Sequence, residues 1–346
     1  MRRSLTLLSL VVAGFAATPD RAAAAAEDAA GFYLLGSKGP MAGFVPPPGI
    51  YLADVRYYYA GSAEGDAAVG VALRRTGART ATGSLTVEAN IEVDAKAYYD
   101  IPTALWVAPH KVLGGHLGFS VAIPVGWKDV DVDLSARATL TLPPPLNLTL
   151  QRGGQFHIDD HWLAFGDPVA GAFIGWHEGS WHWNLGVLVN VPAGAWQKDK
   201  LSNIGFNRWA ADLTGAITWL DPKIGLDISA AAGFTFNVEN PDTDYKTGTE
   251  FHVEFAIVQN FSKSFGLGLS GYHYQQVTGD SGAGAVLGPF KGRVTALGPT
   301  VNYNFMLGQI PVNTNVKWLK EFNASNRLEG DAALLTMTMP LSAGGQ

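Results

Sequence analysis

The residues with the strongest claim to chemistry lie in His157-Ile158-Asp159-Asp160-His161. Two imidazoles and two carboxylates are donors that a metal ion accepts. A helix would bring both histidines to one face, and nothing nearby supports one. The expectation is therefore a solvated external loop, with no metal and no cofactor. Gly282-Ala283-Gly284-Ala285-Val286-Leu287-Gly288 fits neither the dinucleotide fingerprint nor a P-loop with its lysine and Ser/Thr, and reads as a flexible loop. No Gly-x-Ser-x-Gly elbow is present. The histidines are scattered, so spacing alone assembles no Ser-His-Asp set and no catalytic residue is assigned.

More informative are charges that recur at alternate positions within apolar stretches. By parity they form one inward set: Asp54, Arg56, Glu88, Glu92, Asp94, Lys96, Asp100, Arg208, Asp212, Asp227, His252, Glu254, Lys317 and Glu321. At membrane depth, charges of both signs are tolerated where they face water or each other. Such a set either props a lumen as a ladder of ion pairs, or lines a permeation path and its gate.

The elements that must position these residues are strands. From Leu85 to Val107 one set of alternate residues (Val87, Ala89, Ile91, Val93, Ala95) is almost charge-free, and the other (Glu88, Asn90, Glu92, Asp94, Lys96) is acidic and polar. Strands average about 5–6 residues, and this alternation runs roughly four times as far. A soluble sandwich would need a second sheet of matching length. In a transmembrane barrel lipid covers the apolar face and the polar face lines a wet lumen. The expectation is an all-β, antiparallel, up-and-down barrel of about twelve strands spanning 50–341. Fourteen strands follow if the long segment 126–168, broken by Pro143-Pro144-Pro145, adds a pair; an external hairpin or inward-folding loop is preferred there. Connections alternate short and long, as between the two sides of an outer membrane. Trp181 and Trp183 share one strand face, Trp209 and Trp219 lie ten residues apart, and Phe251 and Phe261 repeat that spacing. These six residues are the expected aromatic girdle.

The 346 residues hold no Cys, 16% charged and 47% hydrophobic residues, and a net charge of -6. No basic footprint for nucleic acid is present. Arg2, Arg3 and the apolar run Leu5–Phe15, with Ala22–Ala26 after it, read as a signal peptide over 1–25. Residues 26–49 then form a Gly- and Pro-rich apolar leader, and 342–346 a short tail. In the leader Phe32, Tyr33, Lys38, Met41 and Phe44 are the candidate plug residues.

Gly36-Ser37-Lys38-Gly39-Pro40-Met41-Ala42-Gly43, with Pro46-Pro47-Pro48-Gly49 after it, resembles the opening of a family of outer-membrane proteins named for the meta-pathway of phenol degradation. Gly166-Asp167-Pro168, Gly175-Trp176-His177, Trp181-His182-Trp183 and Asn207-Arg208-Trp209 extend the resemblance over the mature chain. It implies a non-enzymatic Gram-negative outer-membrane channel for small hydrophobic or aromatic compounds, similar in concept to the long-chain fatty-acid channels, with 32–49 as the plug. The expected partners are outer-membrane lipid and lipopolysaccharide, a small hydrophobic ligand, and the barrel-assembly machinery during insertion. The competing readings are a water-filled porin, a lipid-acting barrel enzyme and a soluble periplasmic β-protein.

Overall fold

The computed structural model describes Glu27 and residues 31–74, 82–142, 144, 146–285 and 288–343. The signal-like segment lies outside the described residues. Fourteen strands form one antiparallel sheet: β1 (Gly49–Arg74), β2 (Thr82–Val112), β3 (Gly115–Ala122), β4 (Val125–Leu142), β5 (Leu148–Phe165), β6 (Val169–Glu178), β7 (Trp181–Asn190), β8 (Ala210–Asp221), β9 (Leu226–Asn237), β10 (Glu250–Asn260), β11 (Phe265–Gln276), β12 (Arg293–Leu307), β13 (Ile310–Ser325) and β14 (Glu329–Ala343). Twelve of them close a ring, because β1 pairs with both β14 and β2, and β2 continues through β3 and β6 to β7. Closure leaves no unpaired edge around the ring, as lipid demands.

The two remaining strands come from the 126–168 segment, as the hairpin reading expected. Residues Thr103–Val112 of β2 pair with β3, whereas Ser84–Asp100 pair with β4. Pro124 and Pro168 interrupt what would otherwise be two continuous strands, since proline cannot donate to a ladder. Below the breaks β3 pairs with β6; above them β4 pairs with β5. The register of β1 with β14 ends at Ser62↔Glu329, while that of β1 with β2 runs on to Arg74↔Thr82. A four-stranded blade, β1-β2-β4-β5, therefore rises beyond the ring on the side of the long connections.

The connections on the opposite side are tight. Leu113 and Gly114 both have positive φ, at 49° and 77°, the conformation of a two-residue hairpin turn whose twist matches the strands. Gly225, at φ 73°, also lies so close to the Asn260 carbonyl that a Cβ would clash with it.

Over β7 to β13 the side chains divide as a lipid-bounded barrel requires. In β9, Asp227, Ser229, Ala231, Gly233, Thr235 and Asn237 are buried, while Ile228, Ala230, Ala232, Phe234 and Phe236 are exposed. Strands β1 and β2 depart from the expected orientation. Ala95 and Val107 are buried, Tyr57, Tyr59, Tyr99 and Ile101 half-buried, and their even-numbered neighbours Arg56, Tyr58 and Tyr98 exposed. The nearly charge-free face of Leu85–Val107 thus turns inward and the acidic face outward. The interior beside these strands faces an apolar leader, Phe32, Leu34 and Leu35 among its residues. The upper half of the strands belongs to the blade, where charges on the outer face meet solvent.

The fold generates a depth-dependent expectation. Ala232→Arg, at the middle of the outer face of β9, should destabilise the inserted barrel by about 2–4 kcal/mol, read as a lower urea midpoint in bilayers. The same substitution at the end position Phe236 should cost less.

A lumenal leader and the cavity beside it

The leader threads the interior from one end to the other. At the long-loop end the carboxylate of Glu27 lies 3.3 Å from Arg208 and accepts hydrogen bonds from Asn240 and Thr243. Tyr33 stacks on His252 at 3.6 Å between ring centroids. Lys317 reaches in from β13 and donates to the carbonyls of Gly36 (2.5 Å) and Lys38 (2.6 Å). Farther down, Met41 N–H donates to Asp227 at 2.9 Å and Gly43 N–H to Thr218 at 2.9 Å, while Asn184 donates to the Ala42 carbonyl. Gly43 sits against the backbone of His182 and Thr218, where a Cβ has no room. Phe44 ends the descent, packed on His177 and His182 at the short-turn end.

Backbone groups out of water must be paired, and lumenal side chains supply the pairs. Asp227 and Lys317 act on the leader directly. His252 is held by Asp212, Nε2 to Oδ2 at 2.8 Å, and Thr235 donates to the same carboxylate oxygen at 2.6 Å. Tyr33 and Leu35 complete the docking by joining an apolar cluster with Tyr272, Tyr274, Leu319 and Leu334.

The structure splits the inward set expected from parity. Arg208, Asp212, Asp227, His252, Glu254, Lys317 and Glu321 are interior and at most 2% exposed. Asp54, Arg56, Glu88, Glu92, Asp94, Lys96 and Asp100 are not: they lie on the outer face of β1 and β2. Here Arg56 bridges Asp54 (3.3 Å) and Asp100 (3.4 Å), so two outward carboxylates at the base of the blade share one cation. Of the leader residues, Phe32 and Tyr33 are buried, and Lys38, Met41 and Phe44 half-buried. Trp181, Trp209 and Phe261 are exposed and Trp183, Trp219 and Phe251 half-buried; Trp181 faces Trp219 across β7 and β8.

The His157–His161 motif is not a loop. It is part of β5, where period two places His157, Asp159 and His161 on one face and Asp160 on the other. Asp129, Asp159 and His161 bring ligand atoms within 4.8 Å of one another on the outside of the blade. Asp160 faces inward and fastens the β7–β8 connection, accepting from Lys200 (2.5 Å), Leu201 N–H and Ser202 N–H. Burial alone would raise the Asp160 carboxyl, but these three donors hold it below its ordinary range. Asp167 pins the same connection at the β5–β6 break through the amides of Gly194 and Phe206.

Between the leader and this inner wall lies a cavity of about 350 Å³. Phe32, Leu34 and Leu35 bound it on the leader side, and Tyr57, Tyr59, Tyr99 and Ile101 on the wall of β1 and β2. Ile204 and Phe206 lie on the β7–β8 connection and Arg327 and Leu328 between β13 and β14. The lumen is thus two-sided: a polar wall from β7 to β13 grips the leader, and an aromatic wall on β1 and β2 leaves room beside it. Sequence parity missed the tyrosine wall and Arg327. Alternate Tyr57 and Tyr59 were the available signal, masked by Tyr58 between them.

A closed antiparallel barrel with an apolar belt and a leader in its lumen is an outer-membrane barrel of the channel type. The family model described as "Putative MetA-pathway of phenol degradation" matches residues 65–337, and the chain belongs to that family. Among solved structures it is similar to an outer-membrane channel from Pseudomonas putida F1, at TM-score 0.56 and 12% identity over 88% of this chain and 98% of that one. Weaker likenesses are to a Pseudomonas aeruginosa FadL homologue (TM-score 0.37, 10% identity, 87% and 91% covered) and to a deletion mutant of TodX, a monoaromatic hydrocarbon channel (0.35, 9%, 92% and 95%). No curated protein matches the chain in sequence.

The leader's anchoring is testable. Lys317→Met leaves the Gly36 and Lys38 carbonyls without their donor, a loss of about 1–3 kcal/mol. The leader should then be cleaved faster by an added protease while the barrel keeps its heat-modifiable migration.

Proposed function

We propose that this protein is a passive, non-enzymatic channel that takes up small hydrophobic or aromatic compounds across the outer membrane. The observation that carries the reading is the aromatic-walled cavity beside the leader. Its volume falls at the low end of the roughly 300–1,000 Å³ typical of small-molecule sites, and such sites are mostly apolar with a few placed polar groups. The family's description, which names phenol degradation, supports an aromatic cargo. In this reading 32–49 is a plug: a ligand binds at the tyrosine wall, and passage requires the leader to shift from the polar wall. Lipid and lipopolysaccharide surround the barrel, and the barrel-assembly machinery inserts it.

A plugged channel carries little steady ion current, and a water-filled porin carries a large one. In planar bilayers the wild-type protein should conduct weakly, and deletion of 31–44 should raise conductance severalfold. Proteoliposomes containing the wild type should admit toluene faster than protein-free vesicles do, with glucose excluded. High conductance by the wild type, or no gain in toluene entry, overturns the proposal.

A further inference from the structure

The cavity is mostly apolar, with a few polar groups and two cations, Lys128 and Arg327, in its lining. Arg327 lies on the connection between β13 and β14 and lines the cavity beside Tyr57 and Tyr59. Its guanidinium sits 4.5 Å above the ring of Tyr274. Among the described residues no carboxylate comes within 4.0 Å of it, and none accepts a hydrogen bond from it. Five donors in a fixed fork are therefore left to water or to an occupant.

The surrounding groups are already committed. Glu321 acts on Arg327 through space, but it already accepts from Tyr272 (2.7 Å), Tyr59 (2.8 Å) and the Gly330 amide (2.9 Å). Tyr274, the platform under Arg327, donates to Glu250 at 2.6 Å, and the other Glu250 oxygen accepts from Asn237. Asp167, the carboxylate lining the cavity, is occupied by Asn190 and two backbone amides. The connection that carries Arg327 is itself braced, by Asn326 donating to the Lys291 carbonyl and Ala324 N–H to Glu329. Tyr57 adds a hydroxyl without a hydrogen-bond partner among the described residues, within electrostatic reach of Arg327. A guanidinium and a phenolic donor thus converge on a space whose other walls are mostly aromatic and aliphatic.

We infer that the cavity selects monoaromatic compounds bearing one anionic group, with the ring on the Tyr57–Tyr59–Tyr99 wall and the anion on Arg327. This rests on the channel reading above and refines it by naming the substrate class. A guanidinium matches a carboxylate in plane and spacing, and ionised partners make the stronger hydrogen bonds. An uncharged ring would fill the same walls and leave the guanidinium unmatched.

Isothermal titration of the full-length protein in detergent, with benzoate and its uncharged isostere benzamide, tests this. The wild type should bind benzoate about tenfold more tightly than benzamide. Arg327→Met should abolish that preference while leaving benzamide affinity within about twofold, and Arg327→Lys should retain part of it. Equal wild-type affinities, or a preference that survives in Arg327→Met, overturns the assignment of Arg327 and leaves the channel reading intact. Should neither ligand bind a wild-type barrel that migrates as folded, the channel reading itself fails with it.

Discussion

A polypeptide passing through a barrel carries its amides and carbonyls away from bulk water, and the polar side of this lumen answers that constraint. The leader is too rich in glycine and proline to pair with itself as helix or strand. Side chains of the wall stand in as its hydrogen-bond partners, with Lys317 serving two carbonyls, Asp227 and Thr218 two amides, and Asn184 another carbonyl. A leader bound by single side-chain contacts, rather than by a continuous ladder, is held at discrete points.

The asymmetry of the lumen follows. Once the strands from β7 to β13 are given over to gripping the leader, the opposite wall has no backbone to satisfy and is free to be apolar. Tyrosines suit it because they present a ring to the interior and can place the hydroxyl on a polar partner, as Tyr59 does on Glu321. Of the two connections that close the cavity, the one between β7 and β8 is fastened by two acids, Asp160 within β5 and Asp167 at the β5–β6 break. The same proline interruptions that end regular pairing also define the cavity's edge.

Much of this was legible in the residues. Alternation identified the barrel, and the alternating connection lengths identified its sides, because period two and tight turns are local properties of the chain. Lumenal Asp212, Asp227, His252, Glu254 and Lys317 were readable because their strands meet lipid on one side, so polar means inward. That inference failed for β1 and β2, where Glu92, Asp94 and Lys96 lie on the outside. Parity gives two faces without saying which is inner. The answer depends on what fills the lumen and on where the strand leaves the membrane, and neither is encoded within the strand. Arg327 was invisible for a similar reason: it sits on a connection, with no period to place it, and its setting, over the Tyr274 ring at the cavity's edge, is made by residues distant in sequence.

The leader's course also bears on how the molecule can be made. Glu27 lies at one end of the lumen and Gly49 begins β1 at the other, and the described residues 31–48 run down the bore between them. β1 closes the ring against β14, the last strand of the chain. Drawing a finished barrel over its own amino-terminal segment would require that segment to find its way down a crowded tube. The simpler history is that the other strands gather around the segment while the seam between β1 and β14 is still open. The joining of first strand to last is then the step that entraps it.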